Sequence, residues 1–191
     1  GTQTKQFPSK PASTQPLVQF CFELPNTSHV FDEKKGPQPL AMFQEYSLTC
    51  TDKSKLPKVL KSWGKLAQPL TAITPELLKK YIGAPCMISV EITAPNAQGK
   101  VYANIQGNGM GVSPRMAQFV VPEVYPRNER LFLDLDNFDW NTFVKLAPFL
   151  QKRIQESAEW PSIAQRFPMP ASLQATQPQA QVQNVQNPAT M

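Results

Sequence analysis

Residues Gly83 to Gly107 read GAPCMISVEITAPNAQGKVYANIQG, two alternating apolar–polar segments on either side of a turn. In the first, Cys86, Ile88, Val90 and Ile92 alternate with Met87, Ser89, Glu91 and Thr93, the period of a half-buried strand. In the second, Val101, Ala103 and Ile105 are expected to face the core, which leaves Lys100, Tyr102, Asn104 and Gln106 on the other face. A cation, an aromatic plate and an amide then share one surface. Such a surface suits a single-stranded nucleic acid, whose phosphates attract charge and whose bases stack on flat partners. The plainer reading is the solvated face of an antiparallel sheet.

Just before this hairpin, Thr74 offers an N-cap, Pro75 a first helical residue and Gly83 a C-terminal cap. The helix they bracket turns Leu77, Leu78, Tyr81 and Ile82 inward and carries Lys79 and Lys80 in its last turn, where the helix dipole favours cations. Further upstream, Leu56, Val59, Leu60 and Trp63 sit at helical spacing, with Lys53, Lys55, Lys58, Lys61 and Lys65 around the remainder. This is a short basic amphipathic helix closed by Gly64, and its spacing places Trp63 in the core.

Two strands come earlier still. Leu17 to Leu24 would point Val18, Phe20, Phe22 and Leu24 inward and Gln19, Cys21 and Glu23 outward. Leu40 to Cys50 would set Met42, Tyr46, Leu48 and Cys50 on one face and Phe43, Glu45, Ser47 and Thr49 on the other, making Phe43 a candidate exposed aromatic. Between them, residues 25–39 carry Pro25, Gly36, Pro37 and Pro39 and read as a long loop.

After the hairpin, Gly107, Gly109 and Gly111 read as a mobile segment; no helix with a Lys-Ser or Lys-Thr opening follows, so it is not a phosphate-cradling loop. Leu131, Leu133 and Leu135 alternate with Phe132, Asp134 and Asp136 as a further strand candidate. From Trp140 the pattern turns helical through Phe143, Val144, Leu146, Phe149, Leu150 and Ile154, with a break at Pro148, and reads as a helical cap on the sheet. The expected organisation is a flexible arm over 1–15, one domain over 16–167, and a disordered Gln/Pro/Ala-rich tail over 168–191. The fold class is α+β, mainly β with helices. An OB-like small barrel with an inserted basic helix and a C-terminal helical cap fits the order of elements.

With 191 residues and 41% hydrophobic content the chain can bury one substantial core, and its net charge of +5 favours an anionic partner. No apolar run approaches the roughly 18 residues that cross a bilayer, and the N-terminal stretch lacks a signal-peptide core, so a cytosolic protein with no membrane partner is expected. Cys21, Cys50 and Cys86 are odd in number and widely spaced, which points to buried free thiols. The lone His29 has no companion ligands and no nucleophile to serve, so neither a metal, a cofactor nor an enzyme is expected. Asp134, Asp136 and Asp139 are the nearest approach to a magnesium site, but Asp139 stands where a helix N-cap is wanted.

The order Trp63-Gly64, Ile82-Gly83-Ala84-Pro85-Cys86, Gly99-Lys100-Val101-Tyr102-Ala103-Asn104-Ile105, Phe138-Asp139-Trp140 and Ser157-Ala158-Glu159-Trp160 resembles a family of small tailed-phage replication and recombination accessory proteins. The resemblance spans roughly residues 40–160. It implies an OB-like barrel that binds single-stranded DNA in the host cytosol, singles out Lys100, Tyr102 and Asn104, and makes Trp63, Gly83 and Cys86 framework. The chain departs from many such binders in ending on an uncharged tail rather than an acidic one, so recruitment of partners by an acidic tip is not expected.

The leading expectation is therefore a non-enzymatic, sequence-tolerant single-stranded DNA-binding protein of phage replication or recombination. Lys53, Lys55, Lys58, Lys61, Lys65, Lys79, Lys80 and Lys100 would track phosphates, Tyr102 and Phe43 would stack bases, and Asn104 would add an amide contact. The rivals are a protein-interaction module, either a recombination mediator or an inhibitor of a host nucleic-acid enzyme, and a minor structural or assembly protein that self-associates. In the first, Phe43 and Tyr102 would anchor a phage or host replication or recombination protein.

Overall fold

The computed structural model describes residues 2–7, 10–31, 33–34, 36–64, 70–114 and 127–174. Three strands, β1 (Thr2–Phe7), β2 (Lys10–Val30) and β3 (Pro37–Ser47), form an antiparallel sheet in the order β1-β2-β3. β2 pairs with β3 from Leu17 opposite Ser47 to Leu24 opposite Leu40, and again from Ser28 opposite Pro39 to Val30 opposite Pro37. The extra residues between the two stretches are Pro25, Asn26 and Thr27 on β2. A proline has no N–H to give to a ladder, so it is tolerated at such an irregularity and at the first residue of a strand, where Pro37 stands. Residues 25–30 and 37–39 thus belong to the hairpin rather than to one long loop, and among the described residues between them Glu33 and Lys34 stand in a turn followed by Gly36 at φ +67°.

The start of the chain also departs from expectation. Where composition predicts a flexible arm, β1 runs back along β2, with Thr2 opposite Pro16 and Lys5 opposite Ser13. A polar segment can pair in this way through its backbone alone, although such a two-stranded ribbon is of marginal stability in water.

α1 (Lys55–Gly64) lies against the inner face of β2–β3 and buries Leu56, Val59, Leu60 and Trp63, the stripe its periodicity predicts. Trp63 packs on Phe22, Phe20 and Tyr81, with ring centroids 5.8, 6.2 and 4.8 Å away, and so belongs to the core. α2 (Pro75–Lys79) begins at Thr74, whose side chain accepts from the Leu77 amide at 3.2 Å, and the chain leaves it through Gly83 at φ +74°.

One extended run then serves two partners. β4 (Cys86–Ile88) pairs with β7 (Val112–Pro114), while β5 (Val90–Ile92) pairs with β6 (Ala103–Ile105); β6 and β7 are joined through α3 (Gln106–Gly109), a single turn. Ile88, Ile105 and Val112 from this unit complete the first core.

A second core lies in the C-terminal helices α4 (Trp140–Phe143), α5 (Pro148–Gln155), α6 (Trp160–Arg166) and α7 (Ala171–Gln174). Phe138, Trp140, Phe143 and Ile163 are its buried centre. Met169 and Leu173 pack against it, so ordered chain continues past the expected boundary at Phe167: two apolar side chains beyond that point find a surface to cover. Leu131–Leu135 forms no strand. Phe132 packs on the first core and Leu133 and Leu135 on the second, which explains the alternation without any pairing.

The protein is an α+β fold. Among the described residues its strands stand in three separate sheets and do not close into a barrel.

A candidate nucleic-acid interface

The β5–β6 hairpin projects from the body as an arm. Its turn is set by Asn96, whose side-chain oxygen accepts from the amides of Gln98 and Lys100, both at 2.9 Å. The Asn96 carbonyl accepts from Gly99 at 2.8 Å, and Gly99 takes φ +73°. Asn at the first position and Gly at the left-handed one is the chemistry of a type I turn closed by a bulge. That signal is in the sequence, yet alternation alone does not find it.

The alternation also misplaces part of the core. Ile105, at the root of the arm, is 2% exposed, but Val90, Ile92 and Val101 are 45%, 66% and 51% exposed, and Ala103 is exposed as well. The arm outruns the body, so among the described residues nothing covers its apolar face. Tyr102, 51% exposed, stands with Lys100 and Asn104 on or beside β6, all in solvent.

The root of the arm is firmly held. Ser89 accepts from the Gln106 amide and donates its own amide to the Gly111 carbonyl, each at 2.8 Å. Tyr46 donates its hydroxyl to the Gly109 carbonyl at 2.6 Å, and a Cβ on Gly109, at φ +90°, would lie 2.7 Å from the Gln44 side chain. The glycine segment is therefore a packed turn, not the mobile stretch its composition predicts; glycine is needed there for the close approach and the left-handed backbone.

Lys53, Lys55, Lys58 and Lys61 are exposed at the start and on the outer face of α1, and Lys80 is exposed at the end of α2. Lys79 places its ammonium 5.1 Å from the centre of the Phe132 ring, a cation–π contact that leaves the charge at the surface. Lys65 lies outside the described residues. Lys53, Lys58, Lys61, Lys80 and Lys100 form no ion pair with a described residue, whereas in the C-terminal part Lys145 meets Glu129 at 2.8 Å and Arg153 meets Glu45 at 2.6 Å.

The distribution of charge gives this a sharper form. Residues 51–114 hold eight lysines against Asp52, Glu76 and Glu91, and the rest of the chain holds eleven basic and eleven acidic residues, so this one stretch carries the whole net charge of +5. It comprises α1, α2 and the arm.

Phe43 is not brought to this region. It points away from α1 on the outer face of β2–β3, half-exposed, and meets the edge of Phe149 at 5.0 Å where α5 docks beside the Arg153–Glu45 pair. The acidic triad also disperses into capping work: Asp139 accepts from the amides of Asn141 and Thr142 and from the Thr142 hydroxyl, and Asp134 accepts from the Asp136 amide and the Asn137 side chain. The Thr142 hydroxyl bond, first among these, holds the Asp139 carboxyl below its usual pKa. Among the described residues no three His, Cys, Asp or Glu side chains converge as a metal site would require.

The three cysteines are free thiols. Cys21 is exposed on the outer face of β2 rather than buried, because its place in the alternation is the outward one. No helix among the described residues is long and apolar enough to cross a membrane. No family model, no curated protein and no solved structure matches this chain.

Proposed function

We propose that this protein binds single-stranded nucleic acid with little sequence preference, through the lysines of α1 and α2 and the Lys100–Tyr102–Asn104 face of the arm. The observation that carries the reading is that the chain's entire charge surplus lies in the stretch that also presents an exposed tyrosine on a projecting hairpin. Lysines that meet phosphates neutralise them and release counterions, while a solvent-facing aromatic ring accepts any base. Phage DNA replication or recombination is the setting that the resemblance of the sequence supports. An OB-like barrel remains part of this proposal, with the arm as one of its hairpins; the proposed binding needs only the arm and the two helices.

The test is fluorescence anisotropy of a labelled single strand of about 30 nucleotides at low and moderate salt, with duplex as competitor. Tight, salt-sensitive and strand-selective binding is expected; absence of binding at low salt would reject the reading.

One observation favours a second reading. Val90, Ile92 and Val101 expose apolar surface on the same arm, as a protein-interaction module would. That module predicts a salt-insensitive protein complex and no affinity for nucleic acid.

A further inference from the structure

A shallow cleft of about 300 Å³ opens between the C-terminal end of α1 and the turn leading from α2 into β4. Among the described residues its walls include Trp63, Leu77, Tyr81, Ala84 and Pro85, with Lys80 as its one charged member. The polar atoms of both aromatic residues are satisfied inside: the Trp63 indole donates to the Pro85 carbonyl at 3.2 Å and the Tyr81 hydroxyl to the Leu60 carbonyl at 2.8 Å. Both residues are core members, 8% and 7% exposed, so each shows the cleft a strip of carbon surface rather than hydrogen bonds. Gly64 completes the wall, and a Cβ there would run into the Tyr81 hydroxyl, so the position accepts no side chain while Tyr81 keeps its place.

Apolar walls with one cation beside them suit the two halves of a nucleotide, a base for the wall and a phosphate for the ammonium. Ligand pockets range from roughly 300 to 1,000 Å³, so this one suits a single nucleoside and not a stack of them. Lys80 forms no ion pair with a described residue, and the cleft lies within the stretch that carries the whole surplus charge, so an anion is the ligand that this surface attracts.

We propose that the cleft takes one unpaired base of the bound strand, packed against the Trp63–Tyr81 corner, with Lys80 on the adjoining phosphate. This rests on the strand-binding reading above and adds to it a place where the strand is held by a base as well as by its charge.

The test compares a labelled oligothymidylate of about 20 nucleotides with an abasic strand carrying the same number of phosphates. Ala84→Met fills the cleft from one wall while keeping the others, and thermal melting establishes that the variant folds. Stacking on an aromatic surface is strong enough that loss of the site should weaken oligothymidylate binding about tenfold, while the abasic strand binds within about twofold of the unaltered protein. Lys80→Gln should weaken both strands and reduce the steepness of the salt dependence. Equal effects of Ala84→Met on the two strands, or no effect on either, would overturn the cleft as a base site. The unaltered protein supplies a check independent of any variant: photocrosslinking with a strand containing 5-iodouracil should mark the peptides bearing Trp63 or Tyr81, and crosslinks confined to other positions would overturn the proposal. If the unaltered protein binds neither strand at low salt, the strand-binding reading itself falls, and the cleft proposal with it.

Discussion

The Tyr46 hydroxyl and the Gly109 carbonyl, 63 positions apart in sequence, meet at 2.6 Å. This bond joins the sheet spine to the glycine turn at the root of the arm, and the ring that makes it is buried beside Phe20. Burial pushes the Tyr46 phenol well above its ordinary pKa, so the donor keeps its proton at any working pH.

Tyr46→Phe removes the donor and leaves a buried carbonyl without its partner, at a cost of about 1–2 kcal/mol in a urea titration. Hydrogen exchange should quicken at the amides of Ser89 and Gly111, which belong to the same turn. Unchanged stability with both amides still protected would show that the bond holds nothing in place.

Two isoleucines on the arm separate its root from its shaft. Ile105→Ala, at 2% exposure, should cost roughly 2–5 kcal/mol through transfer and cavity terms. Ile92→Ala, at 66% exposure, should stay within about 0.5 kcal/mol. Equal costs in chemical denaturation would mean that the shaft is covered in solution.

Burial raises the Cys86 thiol from 9.0 to about 11. A group whose folded pKa exceeds its unfolded value stabilises fully below the unfolded pKa and loses that contribution as pH rises, here between pH 9 and about 11. Cys86→Ala should flatten the alkaline side of the stability profile across this window while lowering stability at neutral pH. At pH 8, alkylation of Cys86 by iodoacetamide should lag behind that of a free thiol in a peptide.

Asp139 caps α4, and hydrogen bonds led by the Thr142 hydroxyl hold its pKa down. Its contribution is present above the ordinary carboxylate range and fades as pH falls through the lowered folded value. Asp139→Ala should lower Tm at neutral pH, and Asp139→Asn, which keeps an accepting oxygen, should recover most of the loss. A Tm for Asp139→Ala equal to that of the unaltered protein would dismiss the cap.

On single-stranded DNA, Tyr102→Ala should cost about 1–3 kcal/mol whichever base is offered. Lys100→Gln should instead reduce the salt slope by about one unit and weaken all sequences alike. A Tyr102→Ala penalty that appeared with one base only would replace tolerant stacking with base readout.

Much of the fold was legible because side-chain period dictates it. The α1 stripe of Leu56, Val59, Leu60 and Trp63 and the Thr74 cap follow from spacing and cap chemistry, and both appear in the structure. Pairing partners are another matter. Ser89 interrupts a run that alternation reads as one strand, and only the tertiary arrangement gives β4 to β7 and β5 to β6. Val101 and Ala103 lie in solvent instead of the core for a related reason: period two assigns a face but does not say whether anything packs against it. Phe43 and the Leu131–Leu135 segment depended on the C-terminal helices, whose docking surface no local pattern encodes. The lysines, by contrast, needed only exposure, and those described have it.

Ser89 has a mechanical consequence. Its carbonyl accepts from the Gln106 amide and its amide donates to the Gly111 carbonyl, so both of its backbone groups are engaged where the arm leaves the body. Swinging the arm about this residue would have to break both bonds. A strand bound as proposed would meet Tyr102 on an arm whose root is already fixed, so less ordering entropy would be lost on binding than with an unanchored finger.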